Sequence, residues 1–373
     1  MISIAERNRR YEALRQAMSA AGYQSLVIYG LAEATLRGYV RYVSDWHLWG
    51  GSGYVVFPLE GEPVLLLGSA SQTFWALEAG WISDTRRSLS LVSEVVSILE
   101  QRKLTTAKIG VVGLDGLMPA REIRQLQAAL SQPVSDATTL MDGVMSVKSA
   151  EEIAGLEETS RILARALRRF EAMVAPGMTD RQAVSEAVKV ARAAGCLDGI
   201  AHISHKAPPY IQPPKDRLIS DNDILKFSME FAGPTGFWCE LAGIFSFREP
   251  TTRERRIFET TVEAFESTAK LMKPGTVAAE LPANIEHIFR ANGWAVTGRA
   301  IWDVHGIGQN VIEPPIVMPD NQTVLKENMA LNMHPGLLVG EDKWGVYIQD
   351  NFIVTPNGGR RLSGWEHRWH VVG

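Results

Sequence analysis

Two histidines sit in phrases that could do chemistry. His305 opens His305-Gly306-Ile307-Gly308, and His334 ends the alternating run Met329-Ala330-Leu331-Asn332-Met333-His334. A neutral imidazole can ligate a metal or move a proton near physiological pH. Carboxylates come from the stretch Asp223 to Phe247, which alternates as strand, turn and strand: Leu225, Phe227, Met229 and Phe231 form one face, and Lys226, Ser228 and Glu230 the other. If the turn is symmetric about Thr235, Glu230 lies across from Glu240, close enough to share a metal or a proton. An even-numbered loop would instead turn Met229 to the site and put Glu230 behind it; the symmetric register is favoured. The same alternation groups Asn332 with His334, and Tyr347 with Gln349 and Asn351. Two imidazoles with one or two carboxylates are the donor set of a mononuclear transition-metal site with open positions. Glu240, His305, His334 and Glu230 are therefore the candidate metal ligands, and Glu230 is also a candidate proton carrier.

Residues around this cluster carry less specific patterns. His202, His205 and Tyr210 lie in a Pro-rich stretch, where His205 is a candidate acid or base, although a loop histidine is more often simply solvated. Gln349 could orient a reacting group. Trp238, Trp302, Tyr347 and Tyr210 could wall a substrate pocket, against the commoner fate of aromatic side chains as core packing. His47, His287, His367 and His370 are assigned to structure.

These residues need elements to hold them. Residues from Glu6 to Ala21 carry apolar positions at helical spacing and stop at Gly22; Ser25 to Tyr29 reads as a short buried strand. Strands follow at Gly53–Phe57 and Pro63–Leu67 across the Glu60-Gly61 turn, then a helix over Glu94 to Arg102 and a strand at Lys108–Val112. Ser149 stands three residues before Glu152, the signature of a capping box that opens a long helix, and Thr179 caps another. Helices near Thr252–Met272 and Ala278–Asn292 interrupt β-rich segments. The expected organisation is two domains, an α/β domain over 1–145 and an α+β domain over 146–373.

Composition agrees. The chain has 373 residues, long for one core and comfortable for two, with 46% hydrophobic and 21% charged residues and a net charge of -4 without long runs of either sign. Nucleic acid is not an expected partner. Cys196 and Cys239 are too few and too far apart for a disulfide framework or a CxxC site. The first residues turn charged at once, and no window supplies the ~20 apolar residues of a membrane span. Cytoplasmic residence is expected.

The order Lys148-Ser149-Ala150-Glu151-Glu152-Ile153, Asp223-Ile224-Leu225 with Gly236-Phe237-Trp238, His305-Gly306-Ile307-Gly308, Pro314-Pro315, Met333-His334-Pro335-Gly336 and Gly345 to Asn351 resembles the pita-bread family of creatinase, prolidase and aminopeptidase P. The resemblance covers essentially the whole chain. It implies an α+β pita-bread catalytic domain, ligands on an antiparallel sheet, an α/β creatinase-type domain before it, and a homodimer. Dinuclear members hold two ions with Asp, Asp, His, Glu and Glu. Aligned on Gly236-Phe237, the first Asp falls on Met229 and the second on Glu240, the His is kept as His305, and the two Glu positions hold His334 and Gln349. A neutral amide is a poor bridge between two cations. Two further family histidines are replaced by Ile211 and Ile312. The segment Arg37 to Trp49 resembles the one with which relatives close a partner's pocket, where Arg41 and Trp49 could grip a carboxylate and a small apolar or cationic group.

The expectation is then a hydrolase cleaving a C–N bond in a small nonpeptidic amide, amidine or modified amino acid, with one divalent ion such as Zn, Mn or Fe. The alternatives are a metal-free site, a lyase acting on a small carboxylate, as in the dimethylsulfoniopropionate branch of the fold, and a noncatalytic scaffold.

Overall fold

The computed structural model describes residues 2–206, 208–299 and 303–373, which form two compact units, Met1–Met145 and Ser146–Gly373. In the first unit, helix α1 (Ile4–Ala21) is capped by Ser3 and stops at Gly22, whose positive φ of 75° suits a residue without Cβ. Strand β1 (Ser25–Leu31) is central in a six-stranded sheet with β2 (Ser52–Pro58), β3 (Val64–Leu67), β4 (Asp84–Arg87), β5 (Ile109–Val112) and β6 (Ser135–Asp136), in the order β4-β3-β2-β1-β5-β6. Helices α2 (Gly38–Ser44), α3 (Ala70–Ala79), α4 (Leu91–Gln101), α5 (Ala120–Ala128) and α6 (Thr138–Ser146) complete it. Apolar side chains are buried on both faces of the sheet, as the unbroken runs in β1, β2 and β3 require.

In the second unit, α7 (Ala150–Met173) begins at a complete capping box of Ser149 and Glu152, and α8 (Asp180–Ala193) at another of Thr179 and Gln182. Four strands, β7 (Asp198–Ser204), β8 (Ile224–Ala232), β9 (Trp238–Ser246) and the later β17 (Trp369–Val371), form one sheet in the order β17-β9-β8-β7. After α9 (Thr252–Ala269) and α10 (Glu280–Ala291) comes β10 (Val296–Arg299), paired with β14 (Leu337–Val339). The second large sheet runs β12 (Glu313–Val317), β11 (Val304–Gly306), β13 (Ala330–Met333), β15 (Asp350–Thr355) and β16 (Gly358–Arg361). An isolated bridge between Ala242 and Gln349 ties β9 to the chain entering β15. Helix α7 lies close on the β8–β9 hairpin. A Cβ on Gly155 would come within 2.6 Å of the Phe237 ring, and one on Gly233 within 2.0 Å of Thr159 Oγ1. No helix among the described residues is long and apolar enough to cross a membrane.

Candidate metal centre

The β8–β9 hairpin folds about Thr235, and its register sets Glu230 opposite Glu240, Ser228 opposite Ala242 and Met229 opposite Leu241. The even-numbered residues of β8 therefore share the face of Glu240, and Met229 is fully buried on the other. Met229, the position aligned with a family ligand, thus faces away from Glu240, while Ser228 shares the face of Glu240 and donates its hydroxyl to Gln349 Oε1 at 2.8 Å. Sequence alone put Ser228 on the polar face but gave it no role, because its partner lies far along the chain.

Glu240, His305 and His334 converge, each offering one ligand atom with all three atoms within 4.8 Å of one another, and all three residues buried. Each comes from a different strand region. Glu240 lies mid-β9, where Asn351 pins the backbone: the Glu240 N–H donates to Asn351 Oδ1 at 3.0 Å, and Asn351 Nδ2 donates to the Glu240 carbonyl at 2.8 Å. Gln349 Nε2 donates to Glu240 Oε2, which leaves Oε1 facing His305 Nε2 at 3.4 Å. His305 lies in β11, and its Nδ1 is 2.8 Å from the Gly306 carbonyl. A carbonyl only accepts, so Nδ1 carries a proton and Nε2 is the atom available to a cation. His334 follows β13 directly; its Nδ1 is buried without a hydrogen-bond partner, and its ring stacks 6.0 Å from that of Tyr347.

The electrostatics are those of a site short of positive charge. Burial, reinforced by Glu230, pushes the Glu240 carboxyl up to about 7. Burial opposes the charged form of His305, but the Glu240 carboxylate outweighs it and raises that imidazole above its ordinary value. Burial and the neighbouring His305 pull His334 down to about 3, so its ring is neutral. Tyr347 is held well above the usual phenol range by burial and by Glu230 and Glu240, so its hydroxyl stays protonated. Two imidazole nitrogens and one carboxylate oxygen, buried together with His334 Nδ1 unpartnered, fit a single divalent transition-metal ion.

Other expected residues are placed elsewhere. Glu230 faces the same way as Glu240 but stays out of the converging group; its Oε1 lies 3.9 Å from Nδ1 of His202 on β7, which makes it a neighbour of the trio. His205 is no free acid or base: its buried ring sits between Asp223 Oδ2 at 3.0 Å and Asp180 Oδ2 at 3.4 Å, which hold the loop before β8. Tyr210 is 54% exposed. Trp238 is buried at the start of β9, where its backbone N–H donates to the Gly308 carbonyl while its indole N–H has no partner among the described residues, and Trp302 lies outside them. In the first unit, Arg41 lies in α2; it is buried with Nη2 3.6 Å from Asp45 Oδ1 and with Nε and Nη1 unpartnered among the described residues, and Trp49 is 56% exposed. Of the histidines assigned to structure, His47 contacts Arg37, His367 lies beside Asp350, and His370 bonds Glu171.

The chain is similar to a probable dipeptidase PepE of Mycobacterium tuberculosis, at 25% identity over 264 residues covering 68% of each chain. It is also similar to a Xaa-Pro dipeptidase of Pyrococcus horikoshii, at 22% over 314 residues, 83% of this chain and 88% of the relative. Among solved structures, X-Pro aminopeptidase from Thermotoga maritima superposes with a TM-score of 0.85 at 19% identity over 97% of this chain and 99% of that one. The prolidase from Pyrococcus horikoshii gives 0.80 at 20% over 97% and 99%. These likenesses show the pita-bread fold with its preceding N-terminal domain. The model of metallopeptidase family M24 matches residues 154–356, more than half the chain and every residue of the converging group, so the protein belongs to metallopeptidase family M24.

Proposed function

We propose that the protein is a metal-dependent hydrolase of a C–N bond in a small nonpeptidic amide, amidine or modified amino acid, with one divalent ion held by Glu240, His305 and His334. The observation that carries this reading is the Gln349 amide on Glu240 Oε2. An N–H donor occupies the oxygen that a second cation would need, and Ser228 fixes the amide in that orientation. The hydrolytic reaction class is supported by the names of the relatives, dipeptidases and an aminopeptidase.

When bound, the ion would supply Lewis acidity toward a carbonyl or a water. The chain's own residues do the rest. Glu240 Oε1 and His305 Nε2 present donor atoms, and the Gly306 carbonyl keeps the His305 ring in the required tautomer. Glu230, across the ladder from Glu240 and next to His202, takes a proton from the attacking water and returns it to the nitrogen that leaves as the C–N bond breaks. Tyr347 keeps its proton and donates a hydrogen bond to a developing negative charge.

Elemental analysis of protein purified without chelators, alongside His305→Ala, tests the centre: about one transition metal per chain, lost in the variant, is expected. Absence of metal from both proteins would favour a scaffold. Turnover of an amide panel in 18O water tests the chemistry, because hydrolysis incorporates solvent oxygen and an unsaturated product without it would mean a lyase. Robust cleavage of Gly-Pro or Ala-Pro would overturn the nonpeptidic substrate.

A further inference from the structure

Two of the three ligands in the centre have side chains braced by hydrogen bonds, Glu240 by Gln349 and His305 by the Gly306 carbonyl. His334 Nδ1 is buried without a hydrogen-bond partner among the described residues, so that ring is directed by its packing on Tyr347 and by its backbone. That backbone is gripped by one residue, Asp303, which directly precedes β11. Its carbonyl accepts the His334 N–H at 2.8 Å, and its Oδ1 accepts the Gly336 N–H at 2.9 Å. The two bonds clamp the turn on both sides of Pro335, which has no N–H of its own.

Asp303 is itself locked. Its carboxylate is fully buried, and Oδ2 is ion-paired with Nη1 of Arg299 at the end of β10. Arg299 Nη2 donates to Glu286 Oε2 of α10 at 2.8 Å, and Glu286 Oε1 also accepts from Arg290. A line of alternating charge thus runs from the exposed face of α10 inward to the turn that carries His334. A buried carboxylate is tolerated where an opposite charge and hydrogen-bond donors satisfy it, and both are met here by groups whose positions define the turn.

We propose that Asp303, held by Arg299, is a positioning residue that aims His334 at the metal centre. The inference rests on the reading of His334 as a ligand. Outer partners that orient ligands typically contribute about 10–100-fold to metal affinity.

The test uses the full chain with Asp303→Asn and Arg299→Gln. Cobalt(II) affinity is measured by competition with a chromophoric chelator, the cobalt(II) visible spectrum reports coordination geometry, and the His334 ring signals of metal-free, 15N-histidine-labelled protein report its orientation. Each variant is expected to weaken cobalt binding about 10–100-fold, alter the spectrum and shift the His334 ring signals. The double variant is expected to be no worse than Asp303→Asn, because both residues act through one line of contacts, and Arg299→Lys should recover part of the affinity lost in Arg299→Gln. A folded Asp303→Asn protein with wild-type affinity, spectrum and ring signals overturns the proposal. If Asp303→Asn does not fold, Arg299→Gln, which alters a partly exposed side chain, decides on the same three readouts. If the wild-type chain binds no cobalt, the metal centre itself falls, and unshifted His334 signals in the metal-free variants would separately overturn the positioning role.

Discussion

Gln349 donates a side-chain N–H to Oε2 of Glu240, the oxygen turned away from His305. Replacing that donor by an acceptor, in Gln349→Glu, sets two buried carboxylates against each other. An unpaired buried charge costs about 3–5 kcal/mol, so the metal-free variant should melt about 5–10 °C lower. Divalent ions should restore it, with more than one ion per chain by elemental analysis. A variant with wild-type melting and a single ion would remove Gln349 from the explanation of the centre.

Acidity should control loading. Glu240, raised to about 7, and His305, also raised, must both release protons before they can bind a cation. Affinity for zinc should therefore fall about tenfold or more per pH unit below pH 7, as a competition titration from pH 6 to 8.5 would read.

The same displacement acts on stability without metal. The folded state binds the Glu240 proton more tightly than the unfolded chain does. Its contribution is full below about pH 4.5 and is lost as pH rises through about 7, a loss of about 3 kcal/mol. Glu240→Gln should flatten this part of the pH dependence and raise the melting temperature of metal-free protein at pH 8. His334, lowered to about 3, contributes in the opposite sense between pH 3 and 6.5 in both proteins, so the comparison reads Glu240 together with the His305 that it raises. Identical pH profiles would contradict the burial argument.

His205→Ala should weaken the fold without touching the centre. Its Nδ1 bonds Asp223, just before β8, and its Nε2 lies 3.4 Å from Asp180 of α8; losing a buried partner costs about 1–3 kcal/mol. Denaturant unfolding should show that loss while metal content stays at the wild-type value. A drop in metal content would return His205 to the centre.

Gly155→Ala tests the support beneath the hairpin. The added methyl would meet Phe237 and Thr235 at 2.6 and 2.8 Å, inside contact distance. Overpacking costs about 1–3 kcal/mol, and pushing Phe237 moves the turn that sets the Glu230–Glu240 register. An unchanged urea midpoint would show that α7 can withdraw at no cost.

Local pattern made the frame of this site legible. Alternation along β8 and β9 with a turn centred on Thr235 was enough to face Glu230 toward Glu240, and Ser149 with Glu152 marked the start of α7. What pattern missed is nonlocal. His205 looks free in sequence because Asp180 lies 25 positions before it and Asp223 belongs to the next strand. Ser228 shows its role only when Gln349, 121 positions later, comes into reach. Arg41 sits among Tyr39, Val40, Tyr42 and Val43, residues that favour strands, yet packing makes them the buried helix α2.

Glu240, His305 and His334 are each no more than 3% exposed. Little of their surface meets solvent directly, so an ion must pass the side chains packed around them to arrive or depart. Exchange is then paced by local movements of those side chains as well as by affinity. A chelator strong enough to win at equilibrium should strip the ion slowly, and the rate of that removal is a property of the packing and not of the ligand set.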